Sequence, residues 1–198
     1  MYPLLETIRF ENGRFSNTKF HIERMERSLN ECFNSSLQFD PEALFEKESL
    51  KNSNLKGLYK FRLLYNEQHC KTEFVPYSLP HIRLLKPVFA DDIIYNCKFS
   101  DRSKLNILSS QKGRAHDVLI IKNGLVTDTS FANIIFYDGN EWITPDTPLL
   151  RGTQREYLLR KGLIREVPVR YHDIQYFKEA RIINAMIRME DRIIVKML

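Results

Sequence analysis

The sequence of 198 residues lacks the features that identify membrane and secreted proteins. No run approaches the roughly 18 consecutive apolar residues that a membrane-spanning helix needs. The N-terminal segment MYPLLETIRFENG carries charge from Glu6 onward, too early for the apolar core of a signal peptide. We therefore expect the protein to remain in the cytoplasm and to have no membrane partner.

The sequence also lacks a block of basic residues. Its 30 Lys and Arg residues and 25 Asp and Glu residues are spread along the chain, which gives a net charge of +5. There is no basic stripe interleaved with aromatic residues, and no zinc-finger, helix-turn-helix or RNP signature. We expect no nucleic-acid partner, because a pocket for small anionic molecules explains the same modest positive charge.

Cysteine is scarce and shows no pairing pattern. Cys32, Cys70 and Cys97 are an odd number, and no two of them form a CxxC motif. Such usage is typical of reduced thiols inside the cell rather than of a disulfide framework. We expect each cysteine to be a free thiol with a structural role, and we expect no metal site.

The first half of the chain has the pattern of a small α+β layer. A strand is predicted over residues 2–10, followed by an Asn-Gly turn at Asn12 and a short partner strand. The next segment is an amphipathic helix with Ile22, Met25 and Leu29 on its apolar face, and with Arg24 at the edge of that face. A second helix over 41–50, with Asp40 as its N-cap, and further strands complete a predicted domain, 1–85.

The second half begins after a predicted linker at 86–92, which contains a proline and an acidic pair. A strand at 93–97 is expected to lead into Lys98, and a helix follows as far as Gly113. Asn123-Gly124 and Asp138-Gly139 predict two hairpins, and a helix is expected to begin at Gly152. We predict a larger domain over residues 93–198.

Lys98 is the first candidate for chemistry. A lysine attacks a carbonyl only when its amine is uncharged, and an apolar strand end beside Arg102 and Lys104 favours the uncharged form. A solvated lysine just past a strand is the alternative. Lys104 ranks second to Lys98, because it lies inside the predicted helix and away from the strand end.

Two further patterns indicate groups that can bind a ligand: an inward-facing carboxylate and an anion-binding helix start. Asp128 lies on the second strand of a hairpin and places a carboxylate on a face that can point inward. Gly152-Thr153-Gln154 begins a helix, where backbone N–H groups and the helix dipole favour a phosphate, and Arg24 can supply an arginine fork. Taken singly, these residues also fit a turn aspartate, an ordinary helix start and a surface arginine.

The order and spacing of these residues resemble the class IV (fold type IV) pyridoxal-phosphate enzymes, which include branched-chain and D-amino acid aminotransferases and 4-amino-4-deoxychorismate lyase. HIERMERS resembles the family's H-x-x-R-L-x-x-S, and KFSDR resembles K-x-x-x-R. VTDTSFANIIF is similar to V-T-E-x-x-x-x-N-x-F, LLRGTQRE to L-x-G-I-T-R, and RIINAMI to I-C-N-A-L-M.

The resemblance implies a role for each matching residue. Lys98 is implied to be the Schiff-base lysine, and Arg24 is implied to bind the phosphate of pyridoxal 5'-phosphate. Asp128 is implied to face the pyridine nitrogen, with Asn133 in a supporting role. The remaining cofactor-binding positions are Thr153 and Gln154, through their backbone amides, and Asn184 and Ala185 near the phosphate.

The resemblance also implies a fold and an assembly. It predicts an α/β (α+β) protein with a small N-terminal α+β domain, a larger C-terminal β-barrel-like domain with helices, and a homodimer. Two departures from the family pattern are visible. Asp128 replaces the usual Glu, and the sequence starts at LLETIRF, near the end of the family's G-x-x-x-G-D-G-x-[FY]-E loop.

Three functions follow from the resemblance. The NAMI segment and K-x-x-x-R favour a lyase that releases pyruvate and 4-aminobenzoate from 4-amino-4-deoxychorismate. The alternatives are an aminotransferase of D- or branched-chain amino acids and a member that has lost catalysis. Lys60 and Arg62, alternate residues of one predicted strand, can hold the carboxylate of a small amino substrate, or can be outward-facing charges.

Overall fold

A computed structural model describes residues 2–198. The chain divides into two compact units: the first unit runs to Leu79 and includes Cys97–Asp101, and the second unit contains Pro80–Asn96 and Arg102–Leu198. These boundaries differ from the predicted 1–85, 86–92 and 93–198. Residues 84–89 form a strand that continues into the predicted linker, and Lys98 belongs to the first unit.

The first unit is an antiparallel sheet with two helices. Its strands have the order β2-β1-β3-β4, and they are β1 (Leu4–Glu11), β2 (Arg14–Phe15), β3 (Leu58–Tyr65) and β4 (Cys70–Pro76). The helices are α1 (Thr18–Phe33) and α2 (Pro41–Lys51). Apolar residues of β1, β3 and α1 form one core, which confirms the predicted α+β layer. The predicted cap of α2 is also confirmed, because the Asp40 carboxylate accepts hydrogen bonds from two backbone N–H groups of the first turn.

Cys97–Asp101 joins the first unit by pairing with the start of β1. Leu5 N donates to Lys98 O at 3.0 Å, and Ser100 N donates to Pro3 O at 2.8 Å. The predicted strand at 93–97 was wrong. Burial alternates there with a period of two, but these residues form no ladder with a neighbouring strand, and periodicity alone cannot supply a partner.

Two of the three cysteines are paired. Cys32, near the end of α1, forms a disulfide with Cys97, and Cys70 is free. The expectation of three reduced thiols was therefore wrong for Cys32 and Cys97. The two residues lie 65 positions apart, and only the packing of the segment after residue 96 onto the first unit brings them together.

The second unit contains an eight-stranded sheet in the order β10-β9-β8-β11-β12-β5-β6-β7, and β7 also pairs with β8. The extra pairing closes six of the strands into a ring, which confirms the predicted barrel-like domain. The strands are β5 (Leu84–Phe89), β6 (Asp117–Lys122), β7 (Leu125–Thr129), β8 (Asn133–Tyr137), β9 (Trp142–Pro145), β10 (Arg165–Val167), β11 (Glu179–Ile183) and β12 (Ile194–Met197).

Short helices complete the second unit. They are α3 (Ser103–Ser110), α4 (Thr153–Arg160) and 3-10 helices at Tyr171–Tyr176 and Met189–Asp191. Both predicted hairpins are present, and α4 begins directly after Gly152, as the sequence indicated. Within residues 2–198, no helix is long and apolar enough to cross a membrane.

The ring of strands closes at one pair of residues. Asp128 on β7 lies opposite Asn133 on β8, and this is the register pair that joins the two strands. The hydrophobic core of the unit is formed by buried residues of β5 to β9, β11 and β12. The barrel therefore places Asp128 and Asn133, both singled out by the sequence, side by side at its seam.

Candidate active site

In the first unit, Arg24 is buried against a carboxylate. Its side chain is only 5% exposed, and it forms a two-pronged ion pair with Glu6, with Nε 2.9 Å from Oε1 and Nη2 2.5 Å from Oε2. His21 Nδ1 lies 2.6 Å from the same Oε2. Arg24 was predicted to lie at the edge of the apolar face, but the Glu6 charge allows it to be buried.

Burial and mutual contacts determine the protonation states of Glu6 and His21 beside the charged Arg24. Burial alone would raise the pKa of Glu6, but the Arg24 charge and the His21 hydrogen bond outweigh it and lower that pKa to about 2. Burial lowers the pKa of His21, and the nearby charges of Arg24 and Lys98 lower it further against the opposing pull of Glu6. At neutral pH the cluster therefore contains an ionised Glu6, a charged Arg24 and a neutral His21.

Lys98 lies close to this cluster within the first unit. Its carbonyl accepts the hydrogen bond from Leu5 N, one residue before Glu6, and its charge acts on His21. The lysine is half-buried. It is thus placed by an isolated bridge between Leu4 and Phe99, rather than by the strand end that the sequence predicted.

In the second unit, Asp128 is the centre of a hydrogen-bonded group. Its Oδ1 accepts from Asn133 Nδ2 at 2.7 Å, and its Oδ2 accepts from Leu150 N at 2.9 Å. Asn133 Nδ2 also donates to Leu150 O at 2.9 Å. Strand β8 and the loop before α4 therefore hold the carboxylate from two sides.

Gly152 fits against the same group. A Cβ on this residue would collide with Oδ1 of Asn133 and would lie 3.1 Å from its Cγ. The backbone there has φ −70 and ψ 144, which any residue can adopt, so the glycine is required by space alone. The structure therefore shows that the glycine makes room for the Asn133 side chain.

The helix start after Gly152 is buried. Thr153, Gln154 and Arg155 are each at most 3% exposed. Arg155 donates to Pro145 O at 2.8 Å and forms an ion pair with Glu166, while its Nε is buried without a hydrogen-bond partner among the described residues. Since Gly152 has no side chain to cap α4, this end of the helix suits an anion.

Asn184 and Ala185 lie in a turn that contacts the β7–β8 connection. Asn184 Oδ1 accepts from Met186 N at 2.8 Å and from Ile187 N at 2.9 Å, and its Nδ2 donates to Phe131 O at 3.3 Å. Ala185 is half-buried beside it. The Asn184 side chain thus shapes this turn and ties it to the loop between Asp128 and Asn133.

Lys60 and Arg62 share the half-exposed face of β3, as the sequence predicted. Arg62 forms an ion pair with Glu73 on the neighbouring strand, and the Lys60 ammonium lies over the ring of Tyr77 at 4.9 Å. These contacts account for both charges without a substrate.

Sequence reasoning did not assign a role to Glu6 or His21. A usable signal was present, because Glu6 falls on the same face of β1 as Leu4, Ile8 and Phe10. A charged residue in an otherwise apolar, alternating row is costly unless a partner reaches it. His21 lies three residues before Arg24 and so occupies the same side of α1.

Comparisons with known proteins identify the family. The model of the family described as amino-transferase class IV matches residues 104–190. An uncharacterized protein of Haemophilus influenzae is 44% identical over 188 residues, which cover 94% of this chain and 98% of that protein. A crystal structure from Haemophilus somnus 129PT, provisionally named a 4-amino-4-deoxychorismate lyase, is 40% identical with a TM-score of 0.90, and the match covers 96% of this chain and 98% of that one.

The chain belongs to the class IV aminotransferase family. A more distant member of the fold is a hypothetical aminotransferase from Mycobacterium tuberculosis in its pyridoxal-phosphate-bound form, with 15% identity and a TM-score of 0.76. That match covers 94% of this chain and 78% of the other. Membership of this family makes the chain an enzyme of the pyridoxal-phosphate-dependent type.

The residues of this class IV enzyme fit that cofactor. Burial raises the pKa of Asp128 to about 6, against the opposing effects of the Leu150 and Asn133 hydrogen bonds and the Arg155 charge. A buried carboxylate whose ionised form is disfavoured is suited to a cationic partner such as a protonated pyridine nitrogen. Arg24 in the first unit and the start of α4 in the second unit are each, taken separately, suited to an anion such as a phosphate. Asp128 is shorter than the family's glutamate, and it is fixed by two donors.

The raised pKa of Asp128 predicts a pH dependence of stability. The protonated carboxyl stabilises the cofactor-free fold fully below its unfolded pKa, near 3.8, and this contribution is lost as the pH rises through about 6. Between these limits the cofactor-free class IV protein should lose about 3 kcal/mol relative to an Asp128→Asn variant. Urea unfolding of both proteins from pH 4 to 8 measures this difference. Parallel stability curves would show that Asp128 is not desolvated in this way.

Proposed function

We propose that this class IV enzyme uses pyridoxal 5'-phosphate to release pyruvate from 4-amino-4-deoxychorismate, leaving 4-aminobenzoate. The observation that carries cofactor use is the buried Asp128 carboxylate, held by Asn133 and by Leu150, which lies two residues before the Gly152 N-cap of α4. The choice of reaction is supported by the provisional name of the 40% identical structure, and by the NAMI turn and the K-x-x-x-R spacing of Lys98 and Arg102.

Each cofactor group is assigned to residues of this chain. Arg24 and the backbone amides of Thr153 and Gln154 bind the phosphate, with Asn184 and Ala185 nearby. Asp128, oriented by Asn133, accepts the hydrogen bond of the protonated pyridine nitrogen. Lys98 is the amine that captures the cofactor aldehyde.

The bound cofactor supplies an electron sink that acidifies the carbon bearing the substrate's amino group. The Lys98 amine would take the proton from that carbon as a general base. The C–O bond to the enolpyruvyl group then breaks, and the ring becomes aromatic. The departing enolpyruvate gains a proton and becomes pyruvate, so that one substrate gives one 4-aminobenzoate and one pyruvate.

A coupled assay tests this proposal. Protein saturated with pyridoxal phosphate is mixed with 4-amino-4-deoxychorismate, without a ketoacid, and pyruvate is followed with lactate dehydrogenase while 4-aminobenzoate is measured by its fluorescence. We expect the two products in equal amounts.

Turnover that requires a ketoacid and exchanges amino groups would instead identify an aminotransferase, which the family and its M. tuberculosis relative make the second candidate. Purified protein that fails to bind added pyridoxal phosphate would contradict both enzymes.

Two further expectations stay predictions. The homodimer rests on resemblance to the family, and the cytoplasmic location rests on the sequence pattern.

A further inference from the structure

We propose that Glu6 is a positioning residue, which fixes Arg24 in the orientation that binds the phosphate of the cofactor. This inference rests on the proposed function and adds a residue to it. The evidence is the geometry of one buried cluster in the first unit, formed by Glu6, His21 and Arg24.

The first step is that both Glu6 oxygens are in use. Oε1 accepts from Arg24 Nε at 2.9 Å, and Oε2 accepts from Arg24 Nη2 at 2.5 Å and contacts His21 Nδ1 at 2.6 Å. A carboxylate that engages Nε and Nη2 together fixes the plane of the guanidinium as well as its position. Glu6 therefore determines the direction in which the remaining N–H groups of Arg24 point.

The second step is that the carboxylate is held rigidly. Glu6 has no exposed surface and lies in β1, where it is paired with Leu63 of β3. The residue before it, Leu5, donates its N–H to the Lys98 carbonyl. Two adjacent residues of one strand therefore position both the arginine, through a side chain, and the lysine segment, through the backbone.

The third step concerns charge, because removing Glu6 has two opposing effects on a phosphate. Loss of the Glu6 charge strengthens the attraction of the phosphate dianion to this cluster. Loss of the two-pronged ion pair, however, leaves the buried Arg24 guanidinium without its partner. An uncompensated buried charge is strongly unfavourable, so Arg24 should turn toward water and leave the binding geometry. We expect the second effect to dominate.

The test compares two ligands that differ only in the phosphate. Cofactor-free wild-type protein and a Glu6→Gln variant are titrated with pyridoxal phosphate and with pyridoxal, and the affinities are measured by absorbance. We expect Glu6→Gln to bind pyridoxal phosphate at least tenfold more weakly, with pyridoxal affinity unchanged within twofold. In an Arg24→Met background, Glu6→Gln should weaken pyridoxal phosphate binding by less than twofold.

Glu11→Gln is the matched control. Glu11 lies on the same strand and pairs with Arg9 at 3.2 Å, but its side chain is 33% exposed. This variant should keep wild-type affinity for both ligands. If Glu6→Gln does not fold, Glu6→Asp takes its place in the test. Aspartate retains the charge but is too short to engage both Nε and Nη2 of Arg24. This variant should weaken only pyridoxal phosphate binding, by threefold or more.

The possible results separate this inference from the proposed function. Equal weakening of both ligands in the Glu6 variants would reveal a structural role only and would overturn the inference. A gain in pyridoxal phosphate affinity would also overturn it, because Glu6 would then act as a repelling charge. Wild-type protein that does not bind pyridoxal phosphate would instead overturn the proposed function.

Discussion

A Lys98→Ala protein is expected to bind pyridoxal phosphate without forming a borohydride-reducible bond, and to lose activity by about 10³-fold or more. The reason is that one ε-amine is assigned both the capture of the aldehyde and the later proton transfer. Removing a positioned general base or acid typically costs 10²–10⁴-fold, and loss of the covalent attachment adds to it. The measurements are mass spectrometry after borohydride reduction and the pyruvate assay.

Lys104→Ala is the control for this experiment. Lys104 lies in the same chain segment, six residues later, but it is exposed on α3. Its substitution should leave both the adduct and the rate within twofold of wild type. A Lys98→Ala protein that retains a full reducible adduct would show that another lysine holds the cofactor.

Gly152→Ala is expected to destabilise the fold and to weaken binding of the cofactor. The new Cβ would collide with Asn133 Oδ1, so Asn133 would have to abandon its hydrogen bonds to Asp128 and Leu150. Loss of one buried and one partly buried hydrogen bond, together with overpacking, should lower the free energy of unfolding by about 2–4 kcal/mol. Affinity for pyridoxal phosphate should fall at least tenfold, because the carboxylate and the helix start both move.

A double-mutant cycle isolates the cause of this effect. In an Asn133→Ala background the colliding oxygen is absent, so Gly152→Ala should cost less than about 0.5 kcal/mol of further stability. Urea unfolding of the four proteins gives the coupling energy, and titration gives the cofactor affinities. Equal costs in both backgrounds would mean that the glycine is required for a reason other than room for Asn133.

Local sequence signals predicted most of the elements correctly. The Asn-Gly turn at Asn12, the capping Asp40, the hairpin at Asn123-Gly124 and the helix after Gly152 are all present. Each of these depends on backbone preferences of a few neighbouring residues, which act wherever the segment lies. The predicted strand at 93–97 failed because a strand also needs a partner, and alternation does not reveal one.

The motifs identified Asp128, Asn133 and Gly152, but the sequence could not show how they depend on one another. Asp128 and Asn133 are opposed because the ring of strands closes between β7 and β8. Gly152 joins them from a loop that lies beyond β9. Gly152 is thus required because of its contact with Asn133, 19 residues earlier. The motif shows the glycine but does not reveal this contact.

The sequence by itself determined the element types, the family and the residue types available for cofactor chemistry, because periodicity, turn residues and motif spacing are local properties. The tertiary structure alone decided that Glu6 neutralises a buried Arg24, that Cys97 meets Cys32 and that the Lys98 segment pairs with β1. A charged or reactive side chain acquires its pKa, orientation and partner from groups distant in sequence. These properties therefore appear only when the chain is packed.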